Sequence, residues 1–122
     1  MKTLLGVFAM LMIVGCSPPP SVEDVLTKAI KTRRTVTIHY DHRDADGPQV
    51  VEPHLLGTTK AGEQMLNAWF LRDIPKSVKG PGWRLYQVKK IRSIELSDPF
   101  DWPRPDYDAT GGKTFESIQA AL

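Results

Sequence analysis

Cysteine is almost missing from this chain of 122 residues: Cys16 stands alone. A single cysteine excludes an intrachain disulfide and every paired-cysteine metal or redox site. No G-x-S-x-G occurs, which removes the usual serine-hydrolase elbow. Gly111-Gly112-Lys113-Thr114 ends like a phosphate-binding loop. However, Tyr107 stands five positions before Gly112, where that loop needs glycine, and no βαβ pattern precedes it. Charge of one sign is scarce as well. The 16 Lys and Arg residues against 14 Asp and Glu give a net charge of +2, not the concentrated basic face that nucleic-acid binding uses. A membrane span needs about 20 apolar residues, and the run over residues 4–14 is roughly half of that. Aromatics at 8% and apolar residues at 41% still describe an ordinary folded domain.

What is present at the start is an export signal. Lys2 is a positive start, residues 4–14 are apolar and uncharged, and Ile13-Val14-Gly15-Cys16 closes the run with small residues. That ending resembles the bacterial lipobox, in which the cysteine is acylated and becomes the first residue of the mature chain. Residues 1–15 are thus expected to be a lipoprotein signal peptide, with Cys16 as the lipidation site. Two or more acyl signals hold a chain stably on a bilayer where one does not. The rival reading is a cytoplasmic protein with a wrongly assigned start. Ser17-Pro18-Pro19-Pro20 completes a short tether over residues 16–20. Polyproline rises about 3.1 Å per residue, so the domain would sit close to the headgroups.

Removal of residues 1–15 leaves 107 of the 122 residues, enough for one domain with a modest core. Residues 21–33 read as a helix. Ser21 is a good N-cap, Glu23 and Asp24 suit the positive helix end, and Val22, Val25, Leu26, Ala29 and Ile30 form one apolar stripe. Residues 35–40 alternate as a strand, with Val36, Ile38 and Tyr40 on one face. Further strands are expected over 49–59, 64–71, 83–88 and 91–96, with Pro53 marking an edge or bulge in the second. The tail over 98–108 carries three prolines and three aromatics. It is expected to run extended, with Phe100, Trp102 or Tyr107 packed on the strands. Thr114 would then cap a short last helix with Phe115, Ile118 and Leu122 on one face.

Candidate chemistry is sparse. His39 and His42 lie near Asp41, Asp44 and Asp46, but the aspartates lack the calcium-loop spacing, and Asp46-Gly47 between two strands is a hairpin signal. No metal site, cofactor or catalytic constellation is expected. The informative segment is Trp83-Arg84-Leu85-Tyr86-Gln87-Val88-Lys89-Lys90. Continuous strand geometry would place Arg84, Tyr86, Val88 and Lys90 on one face. A guanidinium beside a phenol suits a planar or anionic ligand.

These residues also carry a family likeness. Over residues 26–100 the chain resembles the WYL domain, a small SH3-like or Sm-like β-barrel. The matching pieces are the helix end and first strand over residues 29–40, Val51-Glu52-Pro53-His54-Leu55, residues 62–69, and Arg84-Leu85-Tyr86-Gln87-Val88-Lys89-Lys90-Ile91 leading to Phe100. The stretch from Arg104-Pro105-Asp106-Tyr107 to Leu122 looks like the ending of short stand-alone members. The naming tripeptide falls at Gln64-Met65-Leu66, which keeps the leucine; Arg84 matches a basic position, Lys90 substitutes another cation, and Gln87 is uncharged. The resemblance implies ligand sensing through a basic-aromatic pocket.

The expected protein is therefore mainly β. It comprises a small antiparallel SH3/Sm-like barrel of about five strands over residues 21–98, with an N-terminal helix. An extended tail and a short C-terminal helix follow over 99–122. Its expected role is a non-catalytic, lipid-anchored binding domain of the bacterial cell envelope. Ser17 after the cysteine, in place of aspartate, points to the outer membrane where a cell has one. The expected partners are the membrane, through lipid on Cys16, and an unidentified protein or small anionic ligand. An exported domain is not expected to meet nucleic acid. The expected contact surface is Arg84, Tyr86, Lys90 and Trp69. The cytoplasmic alternative is a WYL-like nucleotide- or nucleic-acid-sensing accessory.

Overall fold

The computed structural model describes residues 18–41, 47–74 and 80–122. The signal segment 1–15, Cys16, Ser17, and the turn carrying His42, Asp44 and Asp46 lie outside the described residues. Helix α1 (Val22–Thr32) begins at Ser21, whose hydroxyl accepts the Asp24 N–H at 3.1 Å, while the Asp24 carboxylate accepts the Ser21 N–H at 3.4 Å. This reciprocal cap satisfies two amides that the helix itself leaves without partners. The helix stops at Arg33, in the left-handed region at φ 53. That backbone is held by the tail: the Arg33 carbonyl accepts the Phe100 N–H at 2.9 Å, and its guanidinium donates to the Asp101 carbonyl at 2.9 Å. No described helix is long and apolar enough to cross a membrane.

Six strands form one antiparallel sheet: β1 (Arg34–Tyr40), β2 (Gln49–Thr58), β3 (Gln64–Asp73), β4 (Gly82–Gln87), β5 (Ile91–Pro99) and β6 (Ser117–Ala121). The order is β4-β3-β2-β1-β5, and a 3-10 turn over Val88–Lys90 links β4 to β5. No pairing joins β4 to β5 among the described residues, so the sheet is not closed. Strand β2 organises the rest. Along one edge it pairs with β3 over its whole length. Elsewhere Gln49, Val50 and Val51 pair with β1, and the segment from Leu55 to Thr58 pairs with β6. A register shift between Pro53 and Leu55 separates the two halves, as expected for a proline inside a central strand.

One face of the sheet packs against α1. Leu26, Ala29 and Ile30 of the helix meet Val36, Ile38, Val51, Leu56, Leu66, Ala68, Phe70 and Tyr86, all buried. Burying a leucine or isoleucine side chain stabilises by about 1.5–3 kcal/mol, so this stripe alone makes the helix dependent on the sheet. The expected C-terminal helix is not there: its residues form β6. Apolar residues at Ile118, Ala120 and Leu122 fit an alternation of two as well as a helical stripe. The second half of β2 settles the choice. Its buried edge would otherwise leave backbone donors and acceptors without partners, a greater cost than a weak helical preference.

Gly57 allows β6 to close on β2. A Cβ there would lie 2.5 Å from Phe115 Cδ1 and 2.6 Å from the Ser117 carbonyl oxygen. Gly57→Ala is expected to cost roughly 1–3 kcal/mol, as overpacking does. Gly80→Ala, with nothing within 4 Å, is expected to leave stability unchanged. Urea midpoints of the two variants check this.

Candidate functional site

The face of the sheet away from α1 is covered by the chain's own tail. Alternation along β2, β3 and β4 sends Glu52, Trp69 and Trp83 to this side, with Trp69 directly opposite both Glu52 and Trp83 in the register. His54, left without a register partner at the β2 irregularity, joins them. Its ring meets Trp83 at 4.8 Å and Tyr107 at 5.1 Å, both edge to face, and stacks on Phe100 at 5.6 Å. Trp83 in turn stacks on Tyr107 at 6.2 Å and donates its indole N–H to the Pro105 carbonyl at 2.9 Å. Phe100 and Tyr107 pack as expected of the tail. Trp102 does not: it is 77% exposed.

A buried charge fixes this tail in place as a strap across the sheet. The Glu52 side chain is 5% exposed and receives two bonds from the Arg104 guanidinium, Nε to Oε1 at 2.6 Å and Nη2 to Oε2 at 3.0 Å. The same guanidinium lies 5.4 Å from the centre of the Trp69 ring. Bidentate charge-assisted bonds of this kind are among the strongest a protein makes. His54, fully buried, works from the next position. The Arg104 backbone N–H donates to its Nε2 at 3.0 Å, and Nδ1 lies 2.8 Å from the Glu52 carbonyl. An acceptor at Nε2 means the proton sits on Nδ1, so the ring is neutral in one tautomer. The Tyr107 hydroxyl donates to the His54 carbonyl at 3.1 Å and accepts the Leu122 N–H at 3.1 Å, tying strap and terminus together.

Beside the strap lies an open groove of about 380 Å³. Asn67, Trp83, Arg84 and Leu85 form its sheet side, and Asp106, Asp108, Lys113 and Phe115 are on the loop opposite. Thr110 shapes that loop by donating its hydroxyl and N–H to the Asp108 carboxylate at 2.6 and 2.9 Å, which holds the carboxyl below the usual range. Gly111-Gly112-Lys113-Thr114 is part of this wall, in turns followed by β6, not the lead-in to a helix.

The four residues expected to form one contact surface are not brought together. Trp69 is on the strapped face. Arg84 and Tyr86 are on the opposite one, opposite Ala68 and Leu66 in the register. Tyr86 is buried in the core; its hydroxyl donates to Gln49 Oε1 at 2.8 Å, and burial pushes its pKa up. Arg84 is exposed, with its guanidinium 5.2 Å from the Phe70 ring centre and Nη1 donating back to the Trp83 carbonyl at 3.0 Å. Strand geometry ends at Gln87, so Val88 and Lys90 belong to the 3-10 turn and do not continue the face of Arg84 and Tyr86. Cys16 is outside the described residues. His39 bonds to Ser93 at 2.9 Å, and no group of three or more His, Cys, Asp or Glu among the described residues is placed to hold a metal ion. No protein family, curated protein or solved structure matches the chain.

Sequence reasoning missed Glu52, His54 and Arg104 as a unit. One signal was available: a carboxylate and a histidine flanking Pro53 in an otherwise apolar strand need partners if both faces are buried.

Two measurements test the strap. Arg104→Met leaves a nearly buried carboxylate without its cation and is expected to lower stability by roughly 2–3 kcal/mol. Burial, and secondarily the Arg104 charge, holds the His54 pKa below its ordinary value of 6.5. The unfolded chain therefore takes up the proton first. The stabilisation is complete above about pH 6.5 and declines as pH falls toward the depressed native value. Wild-type stability is expected to fall between about pH 7 and pH 5 more steeply than that of His54→Phe, in urea titrations at each pH.

Proposed function

We propose that the chain is a membrane-anchored lipoprotein whose folded part is a non-catalytic, WYL-like binding domain. The order of Lys2, an uncharged apolar run, and small residues ending at Cys16 supports export and acylation at that cysteine. For the folded part, the open groove beside the strap carries the binding role. At about 380 Å³ it falls in the size range of ligand sites, and it combines an indole, an exposed leucine and polar groups of both signs. The buried ionisable groups next to it, Glu52 and His54, are engaged in holding the strap.

A barrel of the SH3 or Sm type is the finer reading of the sheet. Two features support it. β1 is paired on both sides, and the two ends of the strand order are linked through a three-residue 3-10 turn. The WYL likeness is carried by the residues from Ala29 to Tyr40, by Val51-Glu52-Pro53-His54-Leu55 and by the segment after Arg84. The ligand or protein partner meets the domain at the cell envelope, outside the cytoplasm.

Metabolic labelling with palmitate tests the anchor. Wild type is expected to take up label into the membrane fraction, and Cys16→Ala is not. Full-length chain with Met1 retained, unlabelled and in the cytosol, would reject the lipoprotein and favour a cytoplasmic, nucleotide-sensing relative of the WYL domain.

A further inference from the structure

We infer that the free edge of β4 receives an extended peptide segment of a partner protein as an added strand, with the groove taking its side chains. This deepens the binding-domain reading above and rests on it. Strand β4 ends the order and pairs with β3 alone among the described residues. Two bonds show which of its backbone groups point away from β3: the Gln87 N–H donates to the Tyr40 hydroxyl at 2.9 Å, and the Trp83 carbonyl accepts from Arg84 at 3.0 Å. Antiparallel pairing alternates, so Leu85, midway between them, also turns its N–H and C=O to the free edge. Those two groups form the template that an incoming strand uses.

The two ends of the strand order are treated differently. The β5 edge carries Arg92, Glu95 and Asp98, all exposed, and ends at Pro99, features that discourage strand addition. The β4 edge shows Leu85 instead, 48% exposed, beside Trp83. The guanidinium of Arg84 occupies the edge carbonyl of Trp83 and lies against the Phe70 ring, so the template is the Leu85 pair alone. Main-chain bonds to Leu85 would supply register. Side chains of the added strand that share the outer face would lean over Leu85 into the groove, where Phe115 offers an apolar contact and Lys113, Asp106 and Asp108 offer both signs of charge. A wall carrying both signs fits a peptide better than a nucleic acid or a polyanion.

The test is selection of random peptides displayed on phage against the immobilised full chain in detergent micelles. Enriched peptides are expected to bind the wild type and to bind Leu85→Pro, which lacks the edge N–H, about tenfold or more weakly, the effect of losing one or two main-chain bonds. Hydrogen exchange of the Leu85 amide in the wild-type chain is expected to slow by a similar factor when peptide is bound, and this measurement decides the matter if the proline variant does not fold. Failure to enrich any peptide, or unchanged Leu85 exchange in a bound complex, overturns the inference. So does concentration-dependent dimerisation that protects Leu85 without peptide, since the occupant is then a second copy. Palmitate labelling reads Cys16 alone, so either experiment can fail without the other.

Discussion

A carboxylate placed in the middle of a sheet and screened from water has to be met by a cation, and Glu52 is met by Arg104 from fifty-two residues away along the chain. That pairing dictates where the tail must run. Arg104 cannot reach both oxygens of Glu52 unless the backbone around it crosses the outer face of β2 and β3. Once there, its amide falls on the Nε2 of His54 and Pro105 comes within reach of the Trp83 indole. These polar groups of the strap are thus satisfied by the strands beneath them. This is the condition under which buried polar groups hold a structure together instead of weakening it.

The consequence is a sheet with two covered sides in a small domain. On one side α1 supplies an aliphatic layer. On the other the tail supplies an aromatic one, built from Phe100 and Tyr107 against His54 and the two tryptophans. β2 is buried along nearly its whole length because it lies between the two layers. β6 belongs to the same arrangement. The strap delivers the last residues to the vacant half of the β2 edge, and hydrogen bonding there replaces helix formation. The groove is what remains where the strap turns away at Asp106 and Asp108 before returning as β6.

The same construction keeps the groups that stabilise the fold apart from the surface proposed for recognition. The buried ionisable groups Glu52, His54 and Tyr86 are committed to internal bonds. What faces solvent beside them is an edge strand, an exposed leucine and a loop of mixed charge. An arrangement of this kind offers main-chain hydrogen bonds and shape to a partner. The proposed acylation at Cys16 would restrict that partner to what meets the membrane surface.

Much of the fold is written in local pattern. The capped helix and its buried stripe, the alternation in β1, the irregularity at Pro53 and the antiparallel order follow from spacing, capping and turn chemistry, which act over a few residues. The packing of Phe100 and Tyr107 could be expected from an aromatic-rich, proline-stiffened tail. The partner of Glu52, the tautomer of His54, the separation of Trp69 from Tyr86 and the strand identity of residues 117–121 could not. Each depends on contacts between residues far apart in the chain. A free β-strand edge or a buried carboxylate exists only after the chain has closed on itself, and at that point unsatisfied backbone groups and an unpaired charge outweigh the local preferences of the segments that come to meet them.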